Sequence, residues 1–375
     1  MRWYSYVIPA VILSIIAISG VWWNATLGTR LDQKVQLFLN EHSSILNAVY
    51  ETTTIVYTEP LHTSVSETIT STSFVTETTT VTPTVTATAQ ELSTLNPHPE
   101  NSKIVLLMGS NAQNDPSSPL NPYIRTIIKN RRDYAERHGF KFEFLDLDEY
   151  KPSIGDKPAP WAKIPMIKNV IRKYPDAEWV WWLDHDALIM NRDLNLVDHI
   201  LKHEKLNSLL LRDTEYFSGF GIDSEGFRTP KNQDPDDIHF IIAQDFNGIN
   251  AGSFLIRNSE VGTWMLDFWN EPLYKEHNGV FVEQQALSHM IYSHPIVHKH
   301  VGLVTLRSIN AYDSSDPAWG YEDGDLCVHF AGCFVFQTCA QNFEKYGKII
   351  TEKQGHDWFD PSEKEYIEQR LFPQP

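Results

Sequence analysis

From Lys103 onward, apolar segments alternate between a strand-like and a helix-like period, and this alternation predicts the order of the elements. The strand-like runs are residues 104–108, 140–147 and 178–183, and the helix-like segments between them are residues 124–135 and 161–171. Gly139 stands where the first helix needs a left-handed C-terminal cap. The resulting β-α-β-α-β order predicts an α/β fold with a mostly parallel sheet flanked by helices.

The remainder of this region continues the alternation less regularly. Further strand-like segments are residues 252–257, 301–306 and 325–330, and further helix-like segments are residues 261–269 and 283–292. Residues 221–237 are rich in glycine, proline and acidic side chains. Such a composition predicts a long loop, which could serve as a lid over a site.

The N-terminal segment has a different pattern. Residues 3–29 contain no charged side chain, and residues 7–23 are almost wholly apolar. A helix of this length can cross roughly 30 Å of hydrocarbon. A cleaved signal peptide is the alternative, but the bulky pair Trp22 and Trp23 and the lack of an Ala-x-Ala site disfavour cleavage. We therefore predict that residues 1–30 form a cytoplasmic tail and a transmembrane anchor, with the rest of the chain in a secretory lumen.

Residues 31–100 separate this anchor from the folded region. They are rich in serine and threonine, and no lysine or arginine occurs between Lys34 and Lys103. A segment of this kind lacks the apolar surface that would offset the entropy of ordering. The alternation around Pro83 could be taken for a strand, but an internal proline disfavours it. We predict a Ser/Thr-rich stem over residues 31–100 and one folded domain over residues 101–375.

Composition restricts the functional classes. The chain has 375 residues and a formal net charge of −17, which argues against a nucleic-acid surface because such a surface needs clustered basic side chains. Three cysteines are present, and no Cys-x-x-Cys pair suggests a zinc site. Cys333 and Cys339 could form a disulfide in an oxidising lumen, which would leave Cys327 as a buried free thiol.

Two acidic residues interrupt an apolar run. Asp184 and Asp186 follow the strand-like residues 178–183 and precede the apolar residues 187–190. Residues i and i+2 of a strand share a face, so the two carboxylates would point together from its carboxyl end. Two solvated acids capping a turn are the alternative. Burying them would cost several kcal/mol unless they are paired or bound to a metal, so we predict a divalent cation site.

Five segments, in this order, resemble glycosyltransferase family 34, the fungal α-mannosyl- and α-galactosyltransferases with their plant xylosyltransferase relatives. The matching segments are residues 161–165, 181–187, 247–257, 283–287 and 329–333. The resemblance implies a GT-A fold and an Mn²⁺-dependent, retaining transfer from a nucleotide sugar. In the residues around Asp186 and Asp245, the resemblance is greatest to the α-1,6-mannosyltransferase subunits of Golgi mannan polymerase. It therefore implies transfer of mannose from GDP-mannose by a Golgi membrane protein that acts on mannose-containing glycans within a complex.

The resemblance also implies roles for individual residues. Asp184 and Asp186 would bind the metal and, through it, the diphosphate, and His329 would be the third protein ligand. The candidate donor-binding residues are Ser110, Asn111, Lys163, Asn247, Asn250, Gly252 and Gly332. Lys163 would offset phosphate charge, and the small residues around Gly252 would let a sugar approach the backbone.

The candidate catalytic residues are Gln284, Glu283 and Asp245. Gln284 is expected beside the anomeric carbon, with its carbonyl oxygen stabilising positive charge there. A covalent intermediate would need a carboxylate such as Glu283 or Asp245, so front-face attack by the acceptor is the preferred mechanism. The alternative functions are an α-1,2-galactosyltransferase using UDP-galactose and a non-catalytic subunit of a Golgi complex. A wall adhesin and a metal-dependent hydrolase account for fewer of these features.

Overall fold

The computed structural model describes residues 101–218, 224, 226–276 and 282–354. The predicted tail and anchor over residues 1–30 and the predicted stem over residues 31–100 lie outside the described residues. Among the residues that are described, no helix is both long and apolar enough to cross a membrane.

Strands and helices alternate along the described chain. The strands are β1 (Ile104–Ser110), β2 (Lys141–Asp146), β3 (Trp179–Leu183), β4 (Ala187–Ile189), β5 (Phe240–Asp245), β6 (Gly248–Arg257), β7 (Val301–Val304), β8 (Ala311–Tyr312) and β9 (Cys327–His329). The helices are α1 (Ile124–His138), α2 (Lys151–Ile154), α3 (Lys163–Lys173), α4 (His203–Leu209), α5 (Glu260–Trp269), α6 (Pro272–Glu276), α7 (Val282–Ser293), α8 (Pro295–His298), α9 (Leu306–Ile309), α10 (Cys333–Phe336) and α11 (Cys339–Gln354).

The larger sheet has six strands in the order β2-β1-β3-β6-β5-β7. Its pairs are parallel except for those of β6, which is antiparallel to both β3 and β5. The exception follows from the β5–β6 hairpin, in which Asp245 pairs with Gly248 across a two-residue turn. Gly248 has a φ of 93°, a conformation that glycine adopts without a steric penalty. The predicted α/β class is confirmed, with a mixed rather than a mostly parallel sheet.

Strand β3 is apolar throughout because both of its faces are covered. All five residues from Trp179 to Leu183 are buried. Val180 and Trp182 pack into the cluster that contains apolar residues of α3, α5 and α7, whereas Trp181 packs on the opposite side against Tyr134 of α1. Burial on both faces accounts for the absence of polar alternation in this strand.

The predicted helices are present with small shifts at their ends. Helix α1 buries Ile124, Ile127, Ile128 and Ala135 on one face, and Gly139 caps it with a left-handed φ of 73°. Helix α5 begins after Ser259, whose hydroxyl accepts a hydrogen bond from the Gly262 amide. Such local signals determine helix ends with little help from tertiary contacts, which explains why they could be predicted.

Several elements differ from the sequence prediction, among them the short strands β4 and β8 and most of the short helices. Strand β5 and helix α11 were not predicted, and the late strand β9 is shorter than residues 325–330. Strands β4, β9 and β8 form a separate three-stranded sheet in that order. Within the predicted loop over residues 221–237, Arg228 forms an isolated antiparallel β-bridge with Glu215. A 3-10 turn follows at Pro235–Asp237.

A disulfide joins Cys333 and Cys339, with an S–S distance of 2.00 Å, and Cys327 is a buried free cysteine. Both predictions for the cysteines are thereby confirmed. The bridge connects the short helix α10 to the first residue of α11. It therefore anchors the segment that follows His329 to the C-terminal helix.

We expect the double variant Cys333→Ser/Cys339→Ser to lose about 2 kcal/mol of unfolding free energy, because opening this short loop releases entropy in the unfolded chain. Chemical denaturation of the purified protein measures the loss. The wild-type protein under reducing conditions is the control and should match the variant. An unchanged denaturation midpoint in both would contradict the expectation.

Candidate active site

Asp184, Asp186 and His329 meet where β3 leaves the large sheet. Strand β3 ends at Leu183, and the next three residues form a turn in which the Ala187 amide donates to the Asp184 carbonyl at 3.2 Å. Strand β9 pairs with β4 and places His329 opposite Ala187. One ligand atom from each of the three side chains lies within 4.8 Å of the others. The predicted group is brought together, but by a turn and a second sheet rather than by alternation along one strand.

The charges of this group depend on one another. The His329 Nε2 atom lies 3.3 Å from the Asp186 Oδ1 atom, and both side chains are buried. Burial raises the pKa of Asp186, but the neighbouring His329 outweighs this effect and lowers the pKa to about 2. Burial lowers the pKa of His329, but Asp186 outweighs it, so the pKa lies above its usual value. The carboxylate is therefore ionised at neutral pH.

The donor set fits a hard divalent cation. Carboxylate oxygens suit Mg²⁺ and Mn²⁺, and an imidazole nitrogen is a common third ligand for transition metals. The His329 Nδ1 atom is buried and has no hydrogen-bond partner among the described residues. A second group, formed by His203, Asp234 and Asp236, is exposed, and Asp234 caps the 3-10 turn that follows it.

Lys163 lies at the centre of the site and is buried. Its ammonium contacts the Asp184 carboxylate at 3.1 Å, Glu283 Oε1 at 2.9 Å and the Ala251 carbonyl oxygen at 2.9 Å. Burial lowers the pKa of Lys163, but Asp184 and Glu283 outweigh it and raise the pKa above its usual value. The ammonium therefore has protein partners for all three protons, whereas the sequence predicted phosphate as its partner.

Two residues that the sequence analysis missed hold the Asp184 turn in place. The Arg131 guanidinium is fully buried and donates to the carbonyl oxygens of Asp184 at 2.6 Å and Ala187 at 3.0 Å. Burial lowers the pKa of Arg131 to about 9, so it remains a cation at neutral pH. Trp182 donates its indole N–H to Asp184 Oδ1 at 2.6 Å. The sequence did contain a signal for Arg131, because this arginine lies at helical spacing among the buried apolar residues of α1.

Asp245 is the centre of a buried polar network next to the metal-ligand candidates. It accepts hydrogen bonds from the Asn247 amide at 2.6 Å, from Asn250 Nδ2 at 3.0 Å and from the Tyr312 hydroxyl. Asn310 donates to Asn250 Oδ1 at 2.7 Å. Burial raises the pKa of Asp245, and its hydrogen-bond donors oppose that rise. Three predicted residues thus lie together, joined by Tyr312 and Asn310, which were not predicted.

Gly252 leaves room for the His329 ring. A Cβ atom built on Gly252 would lie 2.2 Å from Cε1 and 2.6 Å from Nδ1 of His329. The space left by the missing side chain is therefore occupied by the imidazole, and the approach of a donor sugar to this backbone stays a prediction. The Gly252 carbonyl also accepts the Asp184 amide at 2.8 Å. Both contacts bring β6 against the turn and β9.

Glu283 and Gln284 connect the start of α7 to Lys163 and to β6. Glu283 is 3% exposed and bound to Lys163, and its carbonyl oxygen accepts the Trp269 indole N–H at 2.8 Å. Burial raises the pKa of Glu283, and Lys163 opposes that rise. The Gln284 Oε1 atom accepts the Ala251 amide at 2.8 Å. The Gln284 oxygen, which the sequence analysis expected beside the anomeric carbon, thus accepts a hydrogen bond from the backbone of β6.

The other predicted donor-binding residues lie at the rim of the site or beside it. Ser110 is buried at the end of β1, with its hydroxyl 2.8 Å from Nδ1 of His185. The next residue, Asn111, donates to Asp148 at 3.0 Å. Gly332 has a φ of 76° and caps the start of α10, where its conformation directs the chain away from His329. Ser110 thus contacts the residue between the two candidate metal ligands.

The family model described as the galactosyl transferase GMA12/MNN10 family matches residues 100–340, a range that contains this whole site. An alpha-1,2-galactosyltransferase of Schizosaccharomyces pombe is 54% identical over 373 residues, which cover 100% of both chains. A probable alpha-1,2-galactosyltransferase of the same organism, gmh1, is 37% identical over 67% of this chain and 75% of its own. The probable alpha-1,6-mannosyltransferase MNN10 of Saccharomyces cerevisiae is 32% identical over 62% of this chain and 61% of its own.

We expect Gly252→Ala to abolish tight Mn²⁺ binding, because the added methyl group would displace the His329 ring that lies 2.2 Å from the Cβ position. Calorimetric titration with Mn²⁺ measures the effect. The matched control is Gly302→Ala in β7, whose Cβ would meet Leu210 Cδ2 at 2.7 Å, away from the acids. The control should keep Mn²⁺ binding even where the contact with Leu210 lowers its stability. Equal affinities in Gly252→Ala and the wild type would contradict this role of Gly252.

We expect Arg131→Met to lower the unfolding free energy by about 3 kcal/mol, because buried carbonyl oxygens would lose their donor. Urea denaturation monitored by tryptophan fluorescence measures the change. The control is Arg137→Met on the same helix, where the side chain is 44% exposed and paired with Asp193. That variant should stay within about 1 kcal/mol of the wild type. Similar losses in both variants would refute a special role for Arg131.

Proposed function

Because the chain belongs to the galactosyl transferase GMA12/MNN10 family and is a glycosyltransferase, we propose that it transfers galactose from UDP-galactose to a glycan acceptor, forming an α-1,2 linkage. The observation that carries the proposal is the 54% identity, over the full length of both chains, to an alpha-1,2-galactosyltransferase. Transfer of mannose from GDP-mannose, the first expectation from the sequence, is the second candidate. It is supported by the 32% identity to a probable alpha-1,6-mannosyltransferase over a shorter range.

In this proposal the fold is of the GT-A type and the cation is Mn²⁺. Asp184, Asp186 and His329 are the residues that would hold it, since their ligand atoms converge within 4.8 Å. When bound, the cation supplies positive charge that stabilises the diphosphate leaving group. The buried ammonium of Lys163 holds Asp184 in position for this purpose. It acts on the donor through that carboxylate and not through direct contact with phosphate.

The contacts of the two candidate nucleophiles favour front-face transfer with retention. Glu283 is buried and paired with Lys163, and Asp245 is 3% exposed with hydrogen bonds to both of its oxygens. Neither carboxylate has the exposure that attack on an anomeric carbon needs. In the front-face reaction the bond from the anomeric carbon to the diphosphate oxygen breaks. The acceptor oxygen bonds to that carbon, and the acceptor proton passes to the departing phosphate oxygen.

Gln284 and the Asp245 network would position the donor sugar. The Gln284 amide is partly exposed, and its oxygen is held by the Ala251 backbone, so the side chain is oriented before substrate binds. Asp245, Asn250 and Tyr312 form a rigid set of polar groups beside His329, since the Tyr312 and His329 rings lie 5.8 Å apart. Such a set can select a sugar by its hydroxyl pattern, because an unmatched buried polar group is costly.

The location and the partners of the protein are also part of the proposal. We place it in the Golgi membrane, anchored by residues 1–30 as a single-pass type II protein with its catalytic domain in the lumen. The Cys333–Cys339 disulfide supports an oxidising compartment. The acceptor would be a mannose-containing glycan, and other Golgi glycosyltransferase subunits would be its protein partners. Nucleic acid is not expected to bind, given the net charge of −17.

We expect the purified protein, with Mn²⁺ and α-mannobiose, to transfer galactose from UDP-galactose and little or no mannose from GDP-mannose. Mass and linkage analysis of the product measures both. Asp186→Asn should lose transfer by at least about 100-fold, because an amide cannot replace the negative charge of a cation ligand. The substitution also removes the buried pair with His329, so circular dichroism is used to verify that the variant is folded. Transfer of mannose in place of galactose would overturn the choice of donor. Unchanged activity in Asp186→Asn would overturn the cation site.

A further inference from the structure

Three aromatic side chains that are exposed or partly exposed lie on segments attached to the Asp245 network, and they are called here the aromatic face: Phe217, Phe246 and Trp319. Phe217 is 42% exposed and Phe246 is 65% exposed. The rings of Phe217 and Trp319 lie 5.8 Å apart, and Trp319 is partly buried. Single exposed apolar residues are common on proteins, but a group of large rings around a polar site indicates a binding surface.

Each ring is anchored to the residues around Asp245. The Gln244 side chain accepts the Phe217 amide at 2.9 Å and donates to the Glu215 carbonyl at 3.0 Å. Phe246 directly follows Asp245 in the β5–β6 turn. The Trp319 carbonyl accepts the Tyr312 amide at 2.8 Å, and the Tyr312 hydroxyl donates to Asp245. The aromatic face is thus fixed to the same strand end and the same tyrosine as the polar network.

The size and chemistry of the face identify its ligand. Each partner in a standard protein–protein interface buries about 800 Å², whereas fully buried aromatic side chains cover about 150–250 Å² each and these are only partly exposed. The face is therefore too small for a stable protein interface. A pyranose ring presents an apolar C–H face and polar hydroxyl edges, which match an aromatic surface bordered by carboxylate and amide groups.

We propose that the aromatic face is the acceptor subsite, on which hexose rings of the glycan stack while the reactive hydroxyl reaches the donor beside Asp245. The inference rests on the proposed function, because a sugar transferase must hold an acceptor next to its donor sugar. The donor diphosphate belongs with Asp184 and Asp186. The acceptor would therefore be held by Phe246 and its neighbours, next to the donor sugar at the Asp245 network.

The test uses the purified full-length chain with UDP-galactose, Mn²⁺ and α-mannobiose as the acceptor probe. Phe217→Ala and Phe246→Ala should each raise the acceptor KM by a factor of about two to ten, since one aromatic contact contributes about 0.5–1.5 kcal/mol. The KM for UDP-galactose and its hydrolysis in the absence of acceptor should not change. The matched control is Trp264→Ala, which removes a ring that is 41% exposed on α5 and should alter neither KM.

Trp319 needs a milder variant because its ring is partly buried. Trp319→Phe should retain stacking and raise the acceptor KM less than Trp319→Ala. If Trp319→Ala fails to fold, the two phenylalanine variants still decide the question. Their melting temperatures should stay near that of the wild type because both side chains are exposed.

The outcomes separate this inference from the proposed function. Wild-type transfer with an unchanged acceptor KM in both phenylalanine variants would overturn the aromatic face alone. An equal rise in the donor KM would also overturn it, by placing the rings at the donor. Variants that lose a protein partner while keeping their acceptor KM would show a protein surface instead. If the wild type transfers no sugar from UDP-galactose or GDP-mannose, the proposed function fails and this inference fails with it.

Discussion

The turn that carries Asp184 and Asp186 depends on two buried cations. Lys163 bridges the carboxylates of Asp184 and Glu283, and Arg131 binds the backbone carbonyls of Asp184 and Ala187. Carboxylates in a protein interior repel one another and lose hydration, so they need nearby positive charge. The two cations come from α3 and α1, on opposite faces of the sheet. They therefore fix the turn in place before any metal or substrate binds, which is the preorganisation that catalysis by electrostatics requires.

The groups that stabilise the turn come from segments far apart in the sequence. Lys163 also binds the Ala251 carbonyl, and Gly252 leaves room for His329. Strand β6 thus supplies the backbone against which both the cation and the imidazole pack. Its antiparallel direction places Asn250 and Gly252 at the end of the sheet where β3 stops. A parallel strand would place them at the other end, so the reversed strand is part of the site.

Much of the fold could be predicted because it rests on local signals. The helical spacing of α1, the cap at Gly139 and the continuous apolar run of β3 are visible without knowledge of any contact. The grouping of Asp184, Asp186 and His329 followed from motifs. The partners of Lys163 and the role of Gly252 could not be predicted, since each depends on contacts between residues far apart in sequence. The motifs around Asp186 and Asp245 favoured mannose, whereas similarity over the whole chain favours galactose.

The central claim is that Asp184, Asp186 and His329 bind the cation that holds the donor diphosphate. Anomalous X-ray scattering from crystals grown with Mn²⁺ and UDP-galactose tests it most directly. We predict one strong manganese peak between these three side chains and in contact with the diphosphate. The claim would be contradicted by bound nucleotide with no peak there, or by manganese only at the exposed group of His203, Asp234 and Asp236.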